Sequence, residues 1–131
     1  MIDSTAVEIR VRYPECDAQS VAHHSVYPVW MEIARVELLR VNGLVYRECE
    51  QRGLFFVVTQ LAVRYRRPAF YDDLITARVR HTQIGRIRID HEYTIVRGDE
   101  VLAEATSTLA CVDRQGKPQA IPDWFLSGPQ G

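Results

Sequence analysis

Apolar and polar residues alternate over positions 6–13. Val7, Ile9, Val11 and Tyr13 fall on one side, and Glu8, Arg10 and Arg12 on the other. A period of two predicts a half-buried strand, which Pro14 ends by removing a backbone donor. Residues 15–28 read as a loop that is polar at its start and carries His23 and His24. Over 27–42 the period changes. Trp30, Ile33, Ala34, Leu38 and Val41 recur at helical spacing, Pro28 suits the first turn, and Asn42-Gly43 supplies a stop. Apolar residues occupy much of this helix's circumference, which predicts that most of it is buried. Glu32, Arg35, Glu37 and Arg40 stand at pairing distances along it. Residues 44–53 suggest a short second helical segment. Four strands follow, over 54–65, 74–84, 86–96 and 101–112, with Arg97-Gly98-Asp99 as a tight hairpin turn. The tail from Asp113 contains Gly116, Pro118 and Pro122 and reads as irregular, with 123–131 as its end.

One strand, a loop, a long buried helix and then an antiparallel meander specify an α+β class. A sheet that wraps one long helix is the hot-dog arrangement. At 131 residues the chain is expected to form a single domain over 1–131, with little room for a deep site beside its own core. Sixteen basic residues against 17 acidic ones give a net charge of −1, which excludes the global electrostatics of a nucleic-acid binder. Cys16, Cys49 and Cys111 are odd in number and widely spaced, with no CxxC pattern. They read as reduced thiols in a cytoplasmic protein, and neither a disulfide framework nor a metal site is expected. The N-terminus lacks the charged and apolar regions of a signal peptide, and no stretch approaches a membrane span.

Familiar catalytic motifs are missing: there is no GxSxG, P-loop, GxGxxG or HExxH. The residues richest in chemistry lie together, as Tyr13, Glu15, Asp17, His23, His24 and Ser25, just before the helix. A helix start offers unpaired N–H groups and partial positive charge, suited to a carbonyl oxygen or an oxyanion. Asp17 opposite such donors could attack a carbonyl or activate water. By spacing alone Asp17 equally caps a turn, His24 equally sits as a surface histidine, and Tyr13 equally faces the core.

The run Val11-Arg12-Tyr13-Pro14-Glu15-Cys16-Asp17-Ala18, followed by Val21 and His24, resembles the signature of the 4-hydroxybenzoyl-CoA thioesterase family. It is closest to the short acyl-CoA thioesterase branch. Tyr27, the helical stretch Glu32–Leu38, Tyr65, Pro68-Ala69, Tyr71-Asp72-Asp73 and Cys111-Val112-Asp113 continue the match in order. The resemblance implies a hot-dog fold, a homodimer or dimer of dimers, and hydrolysis of an acyl-CoA with no cofactor, coenzyme A being part of the substrate. It makes Asp17 the nucleophile or general base, with Tyr13 an aromatic neighbour. A backbone N–H near His24 polarises the thioester carbonyl, and the His24 side chain contacts the thioester or orients water. Ser25 and Tyr27 are then expected to contact substrate. Two positions depart from the pattern: Gln19-Ser20 where a glycine is common after the Asp, and Val26 where an Asn is common.

The phosphates of coenzyme A call for basic side chains. Arg64, Arg66 and Arg67 form one candidate group, and Arg86 with Arg88 another; each also reads as a solvated strand residue. His91 is expected as a satisfied core histidine, and Glu15 as a solvated loop residue. Glu32 and Glu37 look structural. A thioesterase acting on acyl carrier protein and a non-catalytic hot-dog protein that binds acyl thioesters are the alternatives. Because one unit's interior is filled by its own helix, the site is expected at a subunit interface.

Overall fold

The computed structural model describes residues 1–128. The elements run β1 (Ser4–Arg10), two 3-10 turns (Tyr13–Glu15 and His24–Val26), α1 (Tyr27–Val41), α2 (Tyr46–Gln51), β2 (Phe55–Tyr65), β3 (Leu74–Ile84), β4 (Arg88–Arg97), β5 (Glu100–Val112) and α3 (Asp123–Ser127). The strands form one antiparallel sheet in the order β1-β3-β4-β5-β2. Register shifts at Val58/Gln60, His81/Gln83 and Ile95/Val96 mark bulges, which bend and twist the strands that carry them. The sheet is thereby coiled around α1, as the hot-dog arrangement requires.

Packing follows from the periodicities. Trp30, Met31, Ala34 and Leu38 make the buried stripe of α1 and meet Ile75, Ala77 and Val79 of β3, Tyr93 and Ile95 of β4, and Leu102 of β5. A second cluster, with Leu44, Cys49, Leu54, Ile89, Cys111 and Phe125, closes the other end. The stop after α1 works as its sequence implies. Gly43 takes φ +78°, and the N–H groups of Gly43 and Leu44 donate to the carbonyls of Arg40 and Leu39, both at 2.9 Å. The Asn42 amide also caps the Leu38 carbonyl at 2.9 Å and ties down Ile2 ahead of β1. The Arg35–Glu32 and Arg40–Glu37 pairs form at 3.9 and 3.2 Å.

Four expectations are corrected. The first strand stops at Arg10 rather than reaching Tyr13, because Val11 turns into a backbone exchange with Asp72 and Asp73 and Glu15 then captures the Arg12 N–H. Tyr13 therefore lies in a 3-10 turn, 75% exposed, with its ring edge-on to Tyr71 at 5.5 Å, and it does not face the core. Ile33 and Val41 are exposed, so α1 keeps an apolar outer face rather than being mostly buried. The tail is not irregular throughout. Residues 123–127 form α3, because Phe125 finds a fully buried seat against Phe56. Residues 129–131 lie outside the described part. No described helix is long and apolar enough to cross a membrane.

Candidate active site

The loop between β1 and α1 is a small hairpin of its own. Cys16 and Ala22 form an antiparallel bridge, the Asp17 N–H donates to the Val21 carbonyl at 2.9 Å, and the His23 N–H donates to the Glu15 carbonyl at 2.9 Å. The tip turns at Ser20, whose φ of +64° is a left-handed conformation that a glycine would take without strain. The residue standing where the family pattern favours glycine thus adopts the glycine-like backbone.

The hairpin is pinned on two sides. On one side Ala22 and Tyr71 donate to Ala69 and Ser20 at 2.8 and 3.0 Å, and Val21 bridges Phe70. On the other is Glu15, which is 8% exposed and not the solvated residue expected. Its carboxylate accepts the Arg12 N–H at 2.7 Å and the Trp30 indole N–H at 3.3 Å. The Arg12 guanidinium stands 3.4 Å from the same group. Nothing in the local sequence announces this role; the signal is a carboxylate and an indole that share one buried place once helix and loop pack together.

Asp17 is exposed near the tip. One carboxylate oxygen accepts the Gln19 N–H at 2.8 Å, an Asx-turn that leaves the second oxygen uncommitted among the described residues. Turn-capping and availability for chemistry therefore coexist in one side chain. Across the hairpin, His23 and His24 open the 3-10 turn that leads into α1. The hairpin register puts them two to three residues along from Asp17, roughly 7–10 Å of backbone. The His23 Nδ1 accepts the Ser25 N–H at 3.2 Å and lies 2.8 Å from the Ser25 hydroxyl, so Ser25 is engaged by His23. The His23 and His24 ring centroids lie 4.2 Å apart with the planes tilted by 36°. The His24 carbonyl accepts the Tyr65 hydroxyl at 2.8 Å, while the His24 N–H has no hydrogen-bond acceptor among the described residues. A free donor at a helical start suits a carbonyl oxygen. Tyr65 was not among the candidate site residues, although it orients that peptide from β2.

Tyr27 is buried, edge-on to Tyr65 at 5.0 Å, and accepts the Ala69 N–H at 3.4 Å; burial pushes both phenols up from their usual range. His24, Tyr27, Tyr65, Arg66, Arg67 and Pro68 border one open groove. Arg66 and Arg67 keep company with Glu104 at 3.2 Å and Glu100 at 3.6 Å, all of them solvated. Arg64 borders a different groove, with Glu92 and Glu104. Arg86 lies past the far end of β3, roughly 35 Å of strand from the Phe70–Asp73 loop that holds the hairpin, and joins Arg88 there. His24, Tyr27, Arg66 and Arg67 thus border one groove, with Asp17 on the hairpin whose other arm carries Val21 to it and Ser25 in the turn that follows. Tyr13 lies at the base of the same hairpin, and Arg64 and Arg86 stand apart.

The sequence from residue 11 to 128 matches the model of the thioesterase-like superfamily. An acyl-CoA thioesterase of Haemophilus influenzae, YbgC, is 34% identical over 116 residues, covering 87% of this chain and 85% of that protein. The acyl-CoA thioester hydrolase YbgC of Escherichia coli O157:H7 is 31% identical, covering 87% of each. The crystal structure of a DHNA-CoA thioesterase from Staphylococcus aureus superimposes with a TM-score of 0.89 at 28% identity, covering 95% of this chain and 87% of the other. With a matching family model over nearly its whole length and the hot-dog architecture in place, the chain belongs to the thioesterase-like superfamily.

Proposed function

We propose that the protein hydrolyses an acyl-CoA to the free acid and coenzyme A. The observation that carries this reading is the hairpin itself: an Asp17 oxygen and a His24 N–H, neither with a hydrogen-bond partner among the described residues, on one hydrogen-bonded unit beside a groove edged by Arg66 and Arg67. The thioester carbonyl oxygen binds the His24 N–H, which stabilises the negative charge that develops there. Asp17 attacks the carbonyl carbon, or takes a proton from the water that does so. A C–O bond forms, the C–S bond breaks, and the coenzyme A thiolate leaves and is protonated. If Asp17 attacks, water then cleaves the acyl-aspartyl anhydride. Arg66 and Arg67 receive coenzyme A phosphates, for which their present carboxylate partners are weak, solvated competitors.

The working unit in this reading is a cytoplasmic homo-oligomer of single-domain subunits. β2 is an edge strand, and Val57, Val58, Leu61 and Tyr65 on it are all exposed. Pairing two such edges covers this apolar band and sets Tyr65, and with it the His24 peptide, beside the partner subunit. Light scattering after size exclusion is expected to give at least a dimer.

The deciding experiment is hydrolysis of short, long and aromatic acyl-CoAs by wild type and Asp17→Asn. Turnover is expected in the wild type and its loss, by 100-fold or more, in the variant with the circular dichroism unchanged. Equal activity in both removes the Asp17 mechanism. Coenzyme A thioesters that bind but are never cleaved point to a binding protein, and cleavage confined to acyl carrier protein conjugates points to that substrate class.

A further inference from the structure

Away from the hairpin, a cavity of about 210 Å³ lies between the middle of α1 and the inner face of the sheet. Its centre is some eight residues along α1 from the helix start, roughly 12 Å. Leu39, Phe56 and Leu109 contribute to an apolar wall, and Arg35, His81 and His91 contribute polar groups. His81 and His91 are 7% and 5% exposed. They face each other across β3 and β4 with ring centroids 4.9 Å apart, and the Nδ1 of each lacks a hydrogen-bond partner among the described residues. His91 is therefore not the satisfied core histidine that its sequence position suggests.

The charge arrangement is one-sided. The Arg35 side chain is largely buried; it donates to the Tyr93 hydroxyl at 3.0 Å, and that hydroxyl pairs with Ser107. Its carboxylate partner, Glu32, stands 3.9 Å away and reaches into solvent at the cavity rim. The other nearby acids are Asp90 and Asp3, close to the two histidines, and Glu50, close to the lining Tyr46; the Asp90 side chain is occupied by the Thr108 hydroxyl at 2.8 Å. Neither imidazole can offset the guanidinium, because an imidazole carries no negative charge; burial lowers both pKa values, so the rings add no positive charge either. A semi-buried guanidinium, two under-used imidazoles and an apolar wall thus surround a space larger than the cavity of about 150 Å³ that takes benzene.

We infer that this cavity binds a compact monocarboxylate, its carboxylate at Arg35 and its apolar body of roughly six to eight carbons against Leu39, Phe56 and Leu109. Glu32 swings from Arg35 into solvent to admit it. The inference stands on the cavity and its lining, apart from the proposed hydrolysis.

The chain has four histidines, so long-range proton–nitrogen spectra read two pairs: His23 and His24 at the hairpin, His81 and His91 at the cavity. Octanoate is expected to shift the His81 and His91 signals saturably, to leave His23 and His24 in place, and to bind at least ten-fold tighter than octanol. Arg35→Met should reduce octanoate to the affinity of octanol. Equal affinity for octanoate and octanol in the wild type, shifts confined to His23 and His24, or no saturable shift would each overturn the assignment. The octanoate–octanol comparison needs no variant to fold, and neither measurement depends on turnover.

Discussion

Replacing Glu15 tests whether the hairpin is held from below. Glu15→Ala removes the acceptor for three N–H groups: the Arg12 backbone, the Trp30 indole and, at 3.4 Å, the exposed Arg12 guanidinium, whose solvated contact contributes little. Hydrogen bonds to a charged acceptor contribute about 1.5–3 kcal/mol each. The Trp30 bond is long at 3.3 Å but its donor is fully buried and has nowhere else to turn, so about 2 kcal/mol is lost there. The Arg12 N–H lies beside an exposed side chain and regains water, which limits its share to about 1 kcal/mol. The sum, about 3 kcal/mol, corresponds to a fall of about 1–2 M in the urea midpoint. Urea titration at fixed protein concentration, followed by tryptophan fluorescence, measures it; the fixed concentration matters if subunits associate. Glu15→Gln keeps an acceptor oxygen and should lose only about 1 kcal/mol. Activity should separate the two variants further. A hairpin displaced by about 1 Å lowers kcat/KM by roughly 100-fold, expected for Ala and not for Gln. A loss below about 1 kcal/mol in Glu15→Ala, or equal losses in the two variants, would refute this account of how the site is held.

His91 provides a pH test. Burial, with His81 and Arg35 nearby, lowers its pKa from 6.5 to about 3, so the native state carries fewer protons than the unfolded chain. The resulting stability is complete above pH 6.5 and is lost as pH falls toward 3, at up to about 1.4 kcal/mol per unit. His81 adds to the same slope, and urea midpoints from pH 8 to 4 should be shallower for His91→Phe; an unchanged slope contradicts the assignment. Ser20→Gly relieves a left-handed residue at the hairpin tip and should raise stability by about 0.5–1 kcal/mol with activity retained, as thermal melts will show. Gly128→Ala sets a Cβ 2.8 Å from the Asn42 carbonyl at φ +70°, so proteolysis should reach the α3 segment faster in the variant.

Regular elements were readable because each rests on a short-range pattern. The 27–42 helix and the 74–84 strand follow from periodicity and end signals, and the structure places them within a residue. Tyr13 was misplaced because alternation continues past Arg10 while the backbone leaves the ladder, a choice settled by Asp72 and Asp73, some 60 residues away. Phe125 and α3 were unreadable for the same reason: five residues form a helix only when Phe56 and its neighbours supply the seat. Asp17 and His24 stood out by type and position. Their anchors, Glu15 through Trp30 and the His24 peptide through Tyr65, are tertiary contacts without a local signature.

The sheet order also sets the order in which the molecule can be assembled. β3, β4 and β5 are joined by tight turns and can zip together locally, whereas β1 must find β3 with Ser4 opposite Arg80. That pairing joins partners 64 to 76 residues apart, from Arg10–Leu74 to Ser4–Arg80, and should come late in folding. The hairpin bearing Asp17 hangs between β1 and α1, so it gains its shape only when this last seam shuts. Pulsed hydrogen exchange should find the amides of residues 15–23 protected after those of β4 and β5, and earlier protection would reverse that order. A partly folded chain would then own a nearly complete sheet and no ordered hairpin, so on the proposed reading it would leave thioesters intact until the fold is finished.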